Sequence, residues 1–166
     1  MPHPPPSRRS LAALFALGLL VRLPLVVLAG VKGPVGEDAS MWGYRALELA
    51  KGVWHGSHPP LYPALGVALS ASGLDLGLAL AGISWAAGLL MAPVFAWGAS
   101  KLVGARAGLV AGACLLVQPA LTAWSLRIEP SALFMVLLGL LLGALGEALH
   151  QGSRRAAVGA DRKSVV

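Results

Sequence analysis

Long apolar runs with few polar interruptions set the layout of this chain. Residues 11–30 are apolar but for Arg22 and Pro24. Residues 76–100 and 107–126 carry no charge, and residues 130–149 carry only Glu147. A bilayer core takes about 20 apolar residues as a helix, so these four runs predict four transmembrane helices. Residues 61–74 are also apolar but short for a span, and they lie between prolines and Asp75. They predict an interfacial or re-entrant helix, with a fifth span as the alternative.

The segment 38–51 has a different rhythm. At 100° per residue, Ala39, Trp42, Gly43, Ala46, Leu47, Leu49 and Ala50 share one face, and Asp38, Arg45, Glu48 and Lys51 share the other. This pattern predicts an amphipathic helix on a membrane surface, stopped by Gly52. The fold class is therefore an all-α membrane protein with about four transmembrane helices. An amphipathic interfacial helix lies in its first outer loop, residues 31–75. Trp85, Met91 and Phe95 read as packing residues.

Composition agrees with the pattern. Of 166 residues, 57% are hydrophobic and 12% are charged, and the mean hydropathy is +0.74. So little charge does not cover a water-facing globule, which argues against a soluble enzyme, a disordered tail or a nucleic-acid-binding domain. The net charge of +6 fits the basic excess of cytoplasmic loops, so no nucleic-acid partner is expected. The single cysteine, Cys114, excludes a disulfide within the chain.

Charge also orients the spans. With the N-terminus inside, Arg8, Arg9, Lys101, Arg106, Arg154, Arg155, Arg162 and Lys163 fall inside, and Lys32, Arg45, Lys51 and Arg127 outside. The carboxylates Glu37, Asp38, Glu48, Asp75 and Glu129 collect outside, as do Trp42, Tyr44, Trp54, Tyr62 and Trp124. This follows the positive-inside rule and the aromatic belt. Residues 1–10 read as a cytoplasmic tip and residues 151–166 as a cytoplasmic tail without pattern. The first run is expected to be an uncleaved helix, since Arg22 interrupts it; a signal peptide is the alternative.

The long outer loop carries most of the candidate chemistry. Glu37 and Asp38 open the amphipathic helix. Asp38 reads as an N-cap and Glu37 as a complement to the helix dipole; a carboxylate fixed at the membrane surface also suits a general base. His55 and His58 lie before the stiff Pro59-Pro60 turn. They read as interfacial residues, and as a metal pair they lack a third ligand, so no cofactor is certain and a divalent metal stays open. Arg127 and Glu129 read either as a solvated pair or as a guanidinium for phosphate oriented by a carboxylate. Arg22 requires either a structural partner or a substrate phosphate. Asp75 marks the outer end of the second span.

The order of these motifs resembles the N-terminal part of the GT-C glycosyltransferases, especially protein mannosyltransferases and the aminoarabinose transferases of lipid A. The resemblance rests on the arginine-bearing first span, the Glu37-Asp38 pair, and the amphipathic helix ending in glycine. It continues with His58-Pro59-Pro60-Leu61-Tyr62-Pro63, the turn from Lys101 to Leu109, Gln118-Pro119, and Arg127-Ile128-Glu129-Pro130. It covers roughly residues 10–150.

The resemblance implies a multi-span enzyme that moves a sugar from a polyprenyl-phosphate-linked donor to an acceptor hydroxyl, with inversion. The acceptor is a protein, lipid or glycan, and the active site faces outward from a bacterial plasma membrane. It implies Asp38 as catalytic base with Glu37 beside it, in inverted order from the family's usual Asp-Glu. Arg127, His58 and Arg45 would contact the donor phosphate, with His58 where the aminoarabinose branch often has lysine. Glu129 and Tyr62 would be orienting residues. The family's enzymes usually have about twice as many spans or more, so this chain is expected to be the first part of a longer enzyme, or a short paralogue. A small transporter and a non-catalytic assembly protein are the competing functions.

Overall fold

The computed structural model describes residues 4–29, 37–54 and 59–163, with the side chains of 25–29, 37–38 and 153–163 outside that description. The described residues are helical, with no strand: α1 (Arg8–Ala29), α2 (Glu37–Ala50), α3 (Leu61–Ser70), α4 (Leu76–Val103), α5 (Ala105–Val117), α6 (Pro119–Trp124) and α7 (Ser131–Lys163). By length and composition, α4 and the Ser131–Gly152 part of α7 are apolar enough to cross a membrane.

Helix α4 is the spine, and α1, α3, α5 and α7 all pack on it. Asp75 caps its start, accepting the Leu78 amide at 3.0 Å. This satisfies one of the amides that a helix N-terminus leaves open. Gly104 ends α4 and is the single residue before α5, with φ +90°. A side chain would be strained at that φ, so glycine allows the abrupt reversal.

The reversal lays α5 against α4 at close range. A Cβ on Gly112 would sit 2.6 Å from the Ala92 carbonyl, and one on Gly98 would run into the Gly139 carbonyl of α7. Small residues at both crossings let the backbones approach closely. Trp97 and Lys101 finish the α4–α7 seam. The Lys101 ammonium lies 3.2 Å from Glu147 and 5.5 Å from the Trp97 ring centre, and the His150 ring meets the Lys101 carbonyl at 3.0 Å.

Two boundaries differ from the sequence pattern. The uniform apolar run 107–126 is not one helix: Gln118 is extended (φ −75°, ψ 109°), and Pro119 opens the short α6. Proline disfavours helical backbone at the residue before it, which outweighs the apolar pattern. The 13 residues of α5 reach only about 20 Å. Helix α7 also runs to Lys163, through residues read as a patternless tail. No proline interrupts residues 131–163, and alanine there favours the helix.

Candidate functional site

Two polar clusters lie against α4 and the α6–α7 turn, one reached from α3 and the other from α1. The first begins on α2. Its face presents Trp42 and Ala46, both buried, against Tyr62, Leu80 and Ile128. The Trp42 and Tyr62 rings meet edge to face, with centres 5.5 Å apart, a favoured aromatic arrangement. Leu47 and Tyr44 stay exposed on the same helix. The buried stripe of α2 is therefore narrower than the face expected from 100° spacing.

Tyr62 carries the cluster inward. Its hydroxyl donates to the Leu80 carbonyl at 3.0 Å and lies 2.7 Å from Ser84 Oγ. Ser84 donates to the Glu129 carbonyl at 3.0 Å and accepts the Glu129 amide at 3.2 Å. Ser84 thus pins both backbone groups of Glu129, and Tyr62 braces Ser84. Burial pushes the Tyr62 hydroxyl up to about 12, so it stays a neutral donor committed to α4. The Glu129 carboxylate accepts Ser131 Oγ at 2.8 Å. Arg127 is exposed in the same turn, and no ion pair joins it to Glu129 among the described residues.

The second cluster centres on Arg22, which is fully buried. Its Nε donates to Ser125 Oγ at 2.9 Å and its Nη1 to the Gly18 carbonyl at 3.1 Å, while Nη2 has no partner among the described residues. Ser125 donates to the Thr122 carbonyl at 2.8 Å, and Thr122 donates to the Leu116 carbonyl at 3.2 Å. Leu116 lies just before the break at Gln118 and Pro119. Thr122 therefore occupies a carbonyl at the end of α5, and Arg22 holds the far side of α6. Gly88 makes room: a Cβ there would sit 2.6 Å from Ser125 Cβ and 3.1 Å from Arg22 Nε.

Beside the first cluster lies an apolar cavity of about 400 Å3. Trp42, Tyr62, Leu121, Trp124 and Phe134 form much of its wall. Its size and lining suit an apolar ligand.

The structure brings together Tyr62 and Glu129 through Ser84. Arg45 is half-buried on α2, beside the exposed Tyr44. A hydrogen bond with Glu48 pushes the Tyr44 hydroxyl upward. The backbone of Glu37 and Asp38 forms the first turn of α2, but their side chains lie outside the described residues, as do His55 and His58 altogether. Among the described residues no three His, Cys, Asp or Glu side chains come together; His55 and His58, read as interfacial residues, lie outside them. Sequence reasoning missed Ser84 and Ser125. The one signal for Ser84 was a hydroxyl one turn after Leu80 inside an uncharged run.

No family model, curated protein or solved structure matches the chain.

Proposed function

We propose that the chain is a membrane glycosyltransferase of GT-C type, or part of one, using a polyprenyl-phosphate-linked sugar. In this reading α1, α4, the α5–α6 pair and α7 cross the bilayer with the N-terminus cytoplasmic. Helices α2 and α3 lie at the outer surface. Asp38, with Glu37 beside it, takes the proton from an acceptor hydroxyl. The acceptor oxygen forms a bond to the anomeric carbon, and the bond from that carbon to the phosphate oxygen breaks with inversion. The phosphate leaves with the electron pair. Arg127, Arg45 and His58 offset its charge, as cations aimed at developing charge do.

One observation carries the reading. The helix that begins with Glu37-Asp38 packs through Trp42 on Tyr62 of the Pro-Pro-Leu-Tyr segment, at the wall of an apolar cavity. That neighbourhood suits a donor with a prenyl tail and a reacting head at headgroup depth.

The test is transfer from a polyprenyl-phosphate sugar in membranes bearing the chain. Asp38→Asn should lower the rate by about 10²–10⁴, the usual contribution of a general base. Full transfer in both Asp38→Asn and Glu37→Gln would end the assignment.

The buried Arg22 favours a second reading, since ionisable groups inside transporters mark substrate paths. Solute flux in liposomes containing only this chain, lost in Arg22→Met, would support it over the transferase.

A further inference from the structure

At the opposite end of the bundle, α1 and α5 both begin and α4 ends. Between α1 and α5 runs an apolar groove of about 470 Å3, walled by Ala13 and Leu17 on one side and Leu109, Val110 and Ala113 on the other. Its floor is Leu14, which packs on Ala92 and Ala96 of α4. The volume lies within the roughly 300–1,000 Å3 of ligand sites. The lips are open, with Leu17 45% and Val110 63% exposed.

Helical spacing puts two arginines one turn before the residues that wall this groove. Arg9 precedes Ala13 by four residues, and Arg106 precedes Leu109 by three and Val110 by four. On a helix those spacings put side chains on one stripe, a turn apart. Arg8, Arg9 and Arg106 are all exposed, and none has an ion pair among the described residues. Glu147, the carboxylate described at this end, is held by Lys101. The first turn of α5 has no side-chain cap, so its open amides add to the positive field.

We infer that this groove binds an anionic phospholipid, with an acyl chain between α1 and α5 and the phosphate at Arg9 and Arg106. Basic pockets between membrane helices on the cytoplasmic side bind such headgroups. A second copy is a poorer occupant: a two-fold contact through this groove would bring the same arginines face to face. The inference rests on the membrane reading of the helices and is independent of the transferase reading.

The test uses the full chain in nanodiscs of equal phosphatidylglycerol and phosphatidylcholine, with retained lipid counted by native mass spectrometry. Phosphatidylglycerol should be enriched. Arg9→Gln with Arg106→Gln should cut that enrichment by about fivefold per arginine. Ala113→Phe, which fills the groove, should lower retention of the enriched lipid with both arginines intact. Equal retention of the two lipids, or enrichment untouched by the double charge variant, would overturn the inference. Alkaline carbonate extraction separates the two levels. A chain that leaves the membrane fraction refutes the membrane reading and this site together; a chain that stays, without lipid preference, refutes the site alone.

Discussion

Arg22 Nε donates to Ser125 Oγ at 2.9 Å across 103 residues of chain. The bond joins the middle of α1 to the end of α6 in a fully buried setting. Removing only the acceptor leaves a buried guanidinium without it. Ser125→Ala should therefore cost about 1.5–3 kcal/mol, the range for hydrogen bonds to charged groups. Arg22→Met removes the charge as well, and exchanging buried charge for apolar volume is often neutral or stabilising. Thermal unfolding in detergent should rank Arg22→Met above Ser125→Ala. The reverse order would mean that the charge itself is needed for the fold.

Gly98 and Gly82 form an internal control on α4. A Cβ on Gly98 would run into the Gly139 carbonyl, a backbone atom that cannot swing aside, whereas nothing lies within 4 Å of one on Gly82. Gly98→Ala should destabilise by about 1–3 kcal/mol through overpacking. Gly82→Ala should stabilise by up to about 1 kcal/mol through helix propensity. Denaturation of the two variants in parallel checks both signs.

Tyr62 should be the late-titrating tyrosine of the two in the chain. Its hydroxyl is pushed from the ordinary 10 up to about 12, chiefly by burial. A raised value means that the folded state favours the neutral phenol. The contribution to stability is thus complete below about pH 10 and is lost as pH rises through about 12. Tyrosinate absorbance near pH 11 should be well below that of the unfolded chain. Glu48→Gln should bring Tyr44 back toward its ordinary value and leave Tyr62 late. A Tyr62 that ionises normally would show that its hydroxyl is not held away from water between α3 and α4.

Arg127 separates binding from folding. It is exposed and without an ion pair among the described residues, so Arg127→Ala should leave the unfolding temperature unchanged, as surface substitutions usually do. Under the transferase reading it should weaken transfer, with Arg127→Lys restoring part of the rate. Transfer by Arg127→Ala at the parent rate would remove Arg127 from the phosphate site.

Local features were legible in the sequence and distant pairings were not. The apolar runs anticipated helices at α1, α4 and α7 because a stretch of about 20 apolar residues is the length of one bilayer-crossing helix. Asp75 announced the start of α4 because capping acts across three residues. Gln118-Pro119 was visible, yet the length of the surrounding apolar run argued for a continuous span, and the backbone preference before proline prevailed. The partners of Arg22 and Glu129 could not be read from spacing, because Ser125 and Ser84 are 103 and 45 residues away. A lone serine has the same appearance whether it faces lipid or an arginine. The candidate site was legible as residue types in order, while Tyr62 bracing Ser84 required the fold.

The distance between Arg22 and Ser125 along the chain has a consequence for biogenesis. At roughly 5–20 residues per second, Ser125 is synthesised about 5–20 seconds after Arg22. In a membrane-inserted chain the guanidinium spends that interval without its final partner, so α1 must sit shallow or reach toward water. The first helix thus receives its buried polar partner only once the chain has been made as far as the turn before α7.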